Sequence, residues 1–125
     1  MRLNGAGYDL TEAVDADHAI AILEVRRDIR VVFTDIQLPG SMDGLKLAHA
    51  IRHRWPPVHI VATSAYNATL KDELPTGSVF LPKPYTEYKV IGTLKRAHRV
   101  ISFDPKFPLY GRAKFRAGNV LELGL

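Results

Sequence analysis

The stretch Val31-Val32-Phe33-Thr34-Asp35-Ile36-Gln37-Leu38-Pro39-Gly40 restricts the fold more than any other part of the chain. Apolar residues lead to one carboxylate, and the chain then turns at Pro-Gly. A short apolar run closed by a turn signal reads as a strand buried on both faces, the environment of a parallel sheet. Parallel strands need long crossover connections, so helices must lie between them. In open sheets of this kind, ligands bind beyond the carboxyl ends of the strands. Asp35 stands at such an end. Taken singly, an acid there is as readily a turn former or a helix cap as a functional group, so its neighbours must decide.

Tyr8 to Val14 alternates weakly and reads as a short strand. Asp15 is an N-cap, followed by Ala16, Ala19, Ile20 and Leu23 at helical spacing. The Asp35 strand runs from about Arg30 to Thr34. Leu47, Ile51 and Trp55 then share one helical face with Gly44 and Ala48, until Pro56-Pro57 stops the helix. Val58 to Thr63 is a strand ending at Ser64-Ala65. Residues 66–77, with Pro75 and Gly77, read as a loop with at most a short helix. Val79-Phe80-Leu81 is a strand that ends in Pro82-Lys83-Pro84, and Thr86 caps a last helix whose inner face is Ile91, Leu94, His98 and Ile101. From Ser102 onward Pro105, Pro108, Gly111 and Gly118 break the pattern, so 102–125 is expected to be a mostly irregular tail behind a domain of residues 1–101.

Strict alternation of strand and helix implies a doubly wound parallel sheet with helices on both faces. A length of 125 residues suffices for one core. The absence of cysteine excludes disulfide and thiolate chemistry. No run is long and apolar enough to span a membrane, and the N-terminus lacks a secretory pattern, so a cytoplasmic location without membrane contact is expected. The first 35 residues carry seven acids and four bases, the remainder six acids and 13 bases. That basic excess is scattered, without a run of five, and reads as solvated helix faces more readily than as a nucleic-acid surface.

Carboxyl ends of neighbouring parallel strands share one edge of the sheet. Asp35, Ser64 and Lys83 end three such strands, so an acid, a hydroxyl and an ammonium converge. Each alone has a plain structural explanation: turn, satisfied hydroxyl, surface charge. Their occurrence together in this order points to chemistry. A carboxylate can act as a nucleophile toward phosphorus. Phosphoryl transfer then needs positioning and neutralisation of oxygen charge. Lys83 supplies a point charge, Ser64 a hydroxyl donor, and a Mg²⁺ would bridge Asp35 and the phosphoryl group.

The motifs Phe33-Thr34-Asp35-Ile36-Gln37-Leu38-Pro39-Gly40, Asp43-Gly44, Ala62-Thr63-Ser64-Ala65 and Phe80-Leu81-Pro82-Lys83-Pro84-Tyr85 resemble, as a set, the receiver domain of two-component response regulators, including short stand-alone receivers. The resemblance covers about residues 8–101 and implies a flavodoxin-like sheet. It implies Asp35 as phosphoacceptor, Ser64 and Lys83 as phosphoryl-binding groups, and the Gln37 main-chain carbonyl with Asp35 as Mg²⁺ ligands. It implies Phe80 as the switch aromatic, Gln37 and Tyr66 as positions that tune dephosphorylation, and a cis Lys83–Pro84 bond. The expected partners are a sensor histidine kinase or phosphotransfer protein and a downstream protein. The chain is then a signalling module in a phosphorelay and not an enzyme.

The sequence departs from the family at its start. The family's first strand, ending in two acids, and its first helix should precede Gly7, and residues 1–7 contain no acid. That strand is central in the family. Four parallel strands and weak Mg²⁺ binding are therefore expected. The gap could be closed by direct pairing of the flanking strands, by a strand from another chain, or by an upstream segment if Met1 is internal to a longer protein, the last being the favoured origin. Asp9, Glu12 or Asp15 could substitute as metal ligands only if the first strand shifts inward. Exposed edges beside a gap would invite a homodimer. The loop from Asp35 to Asp43-Gly44 is one residue longer than usual, and the short segment between Ser64 and Lys83 implies an abbreviated helix. Two other readings remain. One is a degenerate receiver that binds partners without phosphorylation. The other is a nucleic-acid binder using Lys106, Arg112, Lys114 and Arg116 with interleaved Phe107, Tyr110 and Phe115.

Overall fold

The computed structural model describes residues 9–38, 40, 42–64, 68–102 and 119–124, with the side chains of 68–70 and 97–102 outside the description. The tail cations and aromatics, Tyr66, and the inner-face residues His98 and Ile101 therefore lie outside what is described. The elements run β1 (Asp9–Ala13), α1 (Ala16–Val25), β2 (Ile29–Asp35), α2 (Gly44–Arg54), β3 (His59–Ser64), a 3₁₀ turn (Ala68–Glu73), β4 (Val79–Pro82), α3 (Glu87–Ser102) and β5 (Asn119–Leu123). The strands form one parallel sheet in the order β1-β5-β2-β3-β4.

Local chemistry sets the helix starts, at Asp15 and Thr86 as the sequence implies and at Asp43, for which no cap is expected. Asp15 caps α1 by accepting from the His18 N–H at 2.8 Å, and Asp43 caps α2 by accepting from the Lys46 N–H at 2.8 Å. The Thr86 hydroxyl accepts from the Lys89 N–H at 3.1 Å at the start of α3. Pro56-Pro57 follows directly on α2, which ends at Arg54 with Trp55 as its C-cap. Between β3 and β4 the described residues hold one helical element, the 3₁₀ turn, in line with an abbreviated helix.

Two expectations are corrected by β5. The sheet has five strands, not four, and residues 119–123 are not irregular tail. They fill the central position, between β1 and β2, that the family's first strand would occupy. Asp9 to Ala13 pair with Asn119 to Leu123 on one side, and Ile29 to Thr34 pair with the same residues on the other. The second ladder contains a bulge, because Ile29 faces Asn119 and Val31 faces Val120, leaving Arg30 extra. With the slot filled from within the chain, the gap that would have invited a homodimer is absent from the described sheet.

The reason β5 seats there is packing on both faces. Leu121 and Leu123 join Val32, Leu47, Ile51 and Ile60 in the core beneath α1 and α2. Val120 joins Phe33, Val61, Val90 and Leu94 in the core beneath α3. A polar clamp fixes the register at the other end. The Asn119 side-chain amide donates to Asp28 at its carbonyl (3.1 Å) and its Oδ2 (3.0 Å). Arg26 donates two bonds to the Asp28 carboxylate and one, at 2.6 Å, to the Thr11 hydroxyl of β1. Three segments far apart in sequence are thereby tied at one edge.

Glu12 and Glu122 are register partners on adjacent strands. The Glu122 carboxyl is pushed above its ordinary value by burial first, then by its hydrogen bond to Glu12 and by the charge of Glu12. A carboxyl that keeps its proton to higher pH when folded than when unfolded adds stability in acid. That stability is lost as pH rises through the folded value. Glu122→Gln is therefore expected to raise stability at neutral pH and to flatten its fall between pH of about 4.3, the ordinary glutamate value, and neutrality, as read by urea unfolding across that range. A second expectation separates a core strand from a loose tail. Leu121→Ala should cost about 2–5 kcal/mol in the same assay, whereas a surface site would cost under about 0.5 kcal/mol.

Candidate functional site

All five strands point the same way, so β2, β3, β4 and β5 deliver Asp35, Ser64, Lys83 and Gly124 to one edge. Backbone bonds extend the ladders past the strand ends and hold these residues in register: Ile36 N–H to Thr63 O at 2.8 Å, and Lys83 N–H to Ser64 O at 3.2 Å. The Lys83–Pro84 peptide is cis, as the resemblance implies.

Asp35 is 7% exposed and both its oxygens accept hydrogen bonds. Oδ1 takes the Gln37 main-chain N–H at 2.9 Å. Oδ2 takes the Lys83 ammonium at 2.5 Å, an ion pair whose carboxylate side chain is 10% exposed and whose lysine side chain is 31% exposed. The Ser64 hydroxyl donates to Gln37 Oε1 at 3.0 Å. The structure therefore brings together four of the residues named from sequence: Asp35, Gln37, Ser64 and Lys83. Phe80 lies half-buried on β4, paired in register with Ala62.

Three further residues shape the site: Gly44 and Tyr85, which the sequence named only as members of motifs, and Gly124, which it did not single out. Gly44, the first residue of α2, donates its N–H to the Ile36 carbonyl at 2.8 Å. A Cβ there would sit 2.1 Å from the Asp35 carbonyl oxygen, so only glycine lets α2 approach. Tyr85 packs on Phe33 with ring centroids 5.8 Å apart. Its hydroxyl is pushed up mainly by burial, with the Asp35 and Glu122 carboxylates adding and Lys83 opposing, which puts it within the field of the ion pair. Gly124, just beyond β5, has a left-handed backbone (φ +71°). A Cβ on it would meet Leu38 Cδ2 at 2.9 Å and Asp35 Cβ at 3.1 Å.

Gly124 bears directly on Mg²⁺. The strand flanking Asp35 is where the family carries its acidic pair, and here that strand ends in a glycine with no room for a side chain. Asp9 stands at the opposite end of β1, Glu12 pairs with Glu122, and the Asp15 carboxylate caps α1. Among the described residues none of these carboxyls shares a hydrogen-bond partner with Asp35. Among the described residues no group of three or more His, Asp or Glu side chains is placed to hold a metal. One carboxylate with both oxygens engaged, plus the Gln37 carbonyl, falls short of the donor set Mg²⁺ prefers. The described residues do not fit a dedicated metal site.

A family model described as the response regulator receiver domain matches residues 2–95. The chain belongs to that family. This receiver is 33% identical over 99 residues to the nitrogen assimilation regulatory protein NtrX of Azorhizobium caulinodans, a match covering 76% of this chain and 22% of the relative. It spans about a fifth of the length of the curated relatives it matches. Among solved structures it is similar to a response regulator receiver protein from Sinorhizobium medicae (TM-score 0.72, 27% identity, 79% of this chain and 81% of that one). It is also similar to NtrX from Brucella abortus (TM-score 0.73, 30% identity, 85% of this chain and 25% of that one). The family match stops at residue 95, so β5 lies outside it. Receiver domains are signalling modules, and no helix of the described residues is long and apolar enough to cross a membrane.

The left-handed backbone and tight contacts at Gly124 give a direct expectation. Gly124→Ala should cost about 1–3 kcal/mol, from the strained backbone region with some further loss against Leu38. Urea unfolding checks this, and a change below about 0.5 kcal/mol would mean that Gly124 does not wall the site.

Proposed function

We propose that this receiver accepts a phosphoryl group on Asp35 from a sensor histidine kinase or a phosphotransfer protein in a cytoplasmic phosphorelay, and signals by binding a downstream protein. The observation that supports this most is the convergence of Asp35, Lys83 and Ser64 at three adjacent strand ends. In the step proposed, an Asp35 carboxylate oxygen attacks phosphorus. The O–P bond forms as the P–N bond to the donor imidazole breaks, and its electron pair returns to the ring. The Lys83 ammonium, already on the carboxylate, is placed to neutralise a phosphoryl oxygen. The Ser64 hydroxyl turns to a second oxygen, and Phe80 packs into the space it leaves. The added charge of about −1.5 to −2 biases a two-state element that a partner reads. No step runs through a metal, because the described donor set does not fit one.

A specific observation favours a second reading. Gly124 against Asp35 removes the position from which a metal would be held, and the Asp35–Lys83 pair is internally neutral. Those features suit a degenerate receiver that binds its partner without phosphorylation. Incubation with acetyl phosphate, with Mg²⁺ and separately with chelator, distinguishes the two by intact mass. Gain of one hydroxylamine-labile phosphoryl group that Asp35→Asn abolishes is the expected result. An unmodified Asp35 under both conditions would establish the second reading in place of the first.

A further inference from the structure

We infer that the Thr63 hydroxyl is a reserve hydrogen-bond donor to Asp35, used when Lys83 turns to the phosphoryl group; the inference rests on the reading of Asp35 as the acceptor. Thr63 is 0% exposed, yet its hydroxyl has no hydrogen-bond partner among the described residues. The other buried polar side chains of the described core are all bonded. The Thr34 hydroxyl donates to the Asp35 carbonyl, the Thr93 hydroxyl donates to the Lys89 carbonyl, the Ser64 hydroxyl donates to Gln37, and Asp35 accepts at both oxygens. A buried donor left without an acceptor forfeits its hydration for nothing, and such exceptions call for a reason. The position of Thr63 supplies one. It is the register partner of Asp35 on β2 and of Leu81 on β4. Phe33, Val61 and Leu81 all lie in the core beneath α3. Alternate residues of a strand share a face, so Asp35 and Thr63, each two beyond Phe33 and Val61, stand side by side on that face.

The chemistry follows from charge. In the resting chain the Asp35 carboxylate is negative, and the cationic Lys83 ammonium serves Oδ2 while the Gln37 N–H serves Oδ1. Capture turns one carboxylate oxygen into the bridge to phosphorus and the other into the carbonyl oxygen of an acyl phosphate. The negative charge now sits on the phosphoryl oxygens, and the Lys83 ammonium follows it. Asp35 is 7% exposed, so water is a poor substitute for the donor it loses. Thr63 is its neighbour in register with an uncommitted proton. A neutral hydroxyl suits a carbonyl oxygen that no longer carries charge, as the ammonium suits the carboxylate. The unmade hydrogen bond of the resting state is thus made in the phosphorylated one, which favours capture.

The test uses the full chain as wild type, Thr63→Val and Thr63→Ser. Valine keeps the shape of threonine and removes the proton; serine keeps the hydroxyl. Acetyl phosphate is the donor, from which acetate leaves with the electron pair of the broken P–O bond, and intact mass follows capture. Thr63→Val should slow capture by roughly 2- to 10-fold, the range one net hydrogen bond spans, and Thr63→Ser should restore the wild-type rate. The urea midpoint of the unmodified chain should rise in Thr63→Val, because an apolar group replaces a buried donor without a partner. Slower capture with a higher midpoint is a combination that a merely structural threonine does not produce. Capture by Thr63→Val at the wild-type rate overturns the role of Thr63 and leaves Asp35 as acceptor. Slower capture with a lowered midpoint also overturns it, since the hydroxyl would then already be bonded at rest. A wild type that takes up no phosphoryl group overturns the acceptor reading itself, and the role of Thr63 with it.

Discussion

The structure depends on one constraint: a parallel sheet cannot leave a slot at its centre. β1 and β2 are joined through α1, yet they are not neighbours, and each presents a row of backbone donors and acceptors toward the space between them. Buried and unpaired, those groups would cost about as much as the hydrogen bonds they fail to make. Asn119–Leu123 satisfies both rows at once and supplies core to both faces. The balance is close. Burying Val120, Leu121 and Leu123 contributes about 5–9 kcal/mol, while fixing five backbone residues costs about 5–10 kcal/mol. The two ladders therefore decide the sign, which is why the position of this strand in the middle of the sheet matters more than its composition.

What fills the slot also determines the chemistry beside it. A strand next to Asp35 must end at the Asp35 edge, so its last residues become part of the site. Among the described residues these are Leu123 and Gly124, and a side chain at position 124 would crowd Asp35 and Leu38. Among the described residues, Asp35 accepts from the Lys83 ammonium and from the Gln37 N–H. A residue brought in by sheet completion therefore packs directly against the acceptor side chain.

Most of this was legible in sequence where the signal is local. Asp15 and Thr86 cap helices because their side chains reach N–H groups two or three residues on, and Pro56-Pro57 ends α2 because neither residue can donate. The convergence of Asp35, Ser64 and Lys83 follows from strand polarity alone. What escaped is what depends on contacts distant in sequence. Val120-Leu121-Glu122-Leu123 between Gly118 and Gly124 carries a short apolar run with turn signals at both ends, the same pattern that identified β2. Glu122 interrupts it, and nothing local says that this run belongs between two strands at the other end of the chain. Gly124 was likewise invisible as a site residue, and Gly44 was named only as part of the Asp43-Gly44 motif. Their importance lies in what a missing Cβ would strike, and only the packed fold defines that.

The connectivity adds a kinetic asymmetry to this site. Asp9 pairs with Asn119 across 110 positions, whereas Val31 pairs with His59 across 28. The longer closure costs only about 1 kcal/mol more, so thermodynamics barely opposes a central strand from the far end of the chain. The order of events is affected more, since non-local pairing is slow to form. β2, β3, β4 and α3 are contiguous in sequence and bring Asp35, Ser64 and Lys83 together without β5. The polar trio can therefore assemble before Gly124 arrives, and Asp35 meets Gly124 only when β5 closes the sheet.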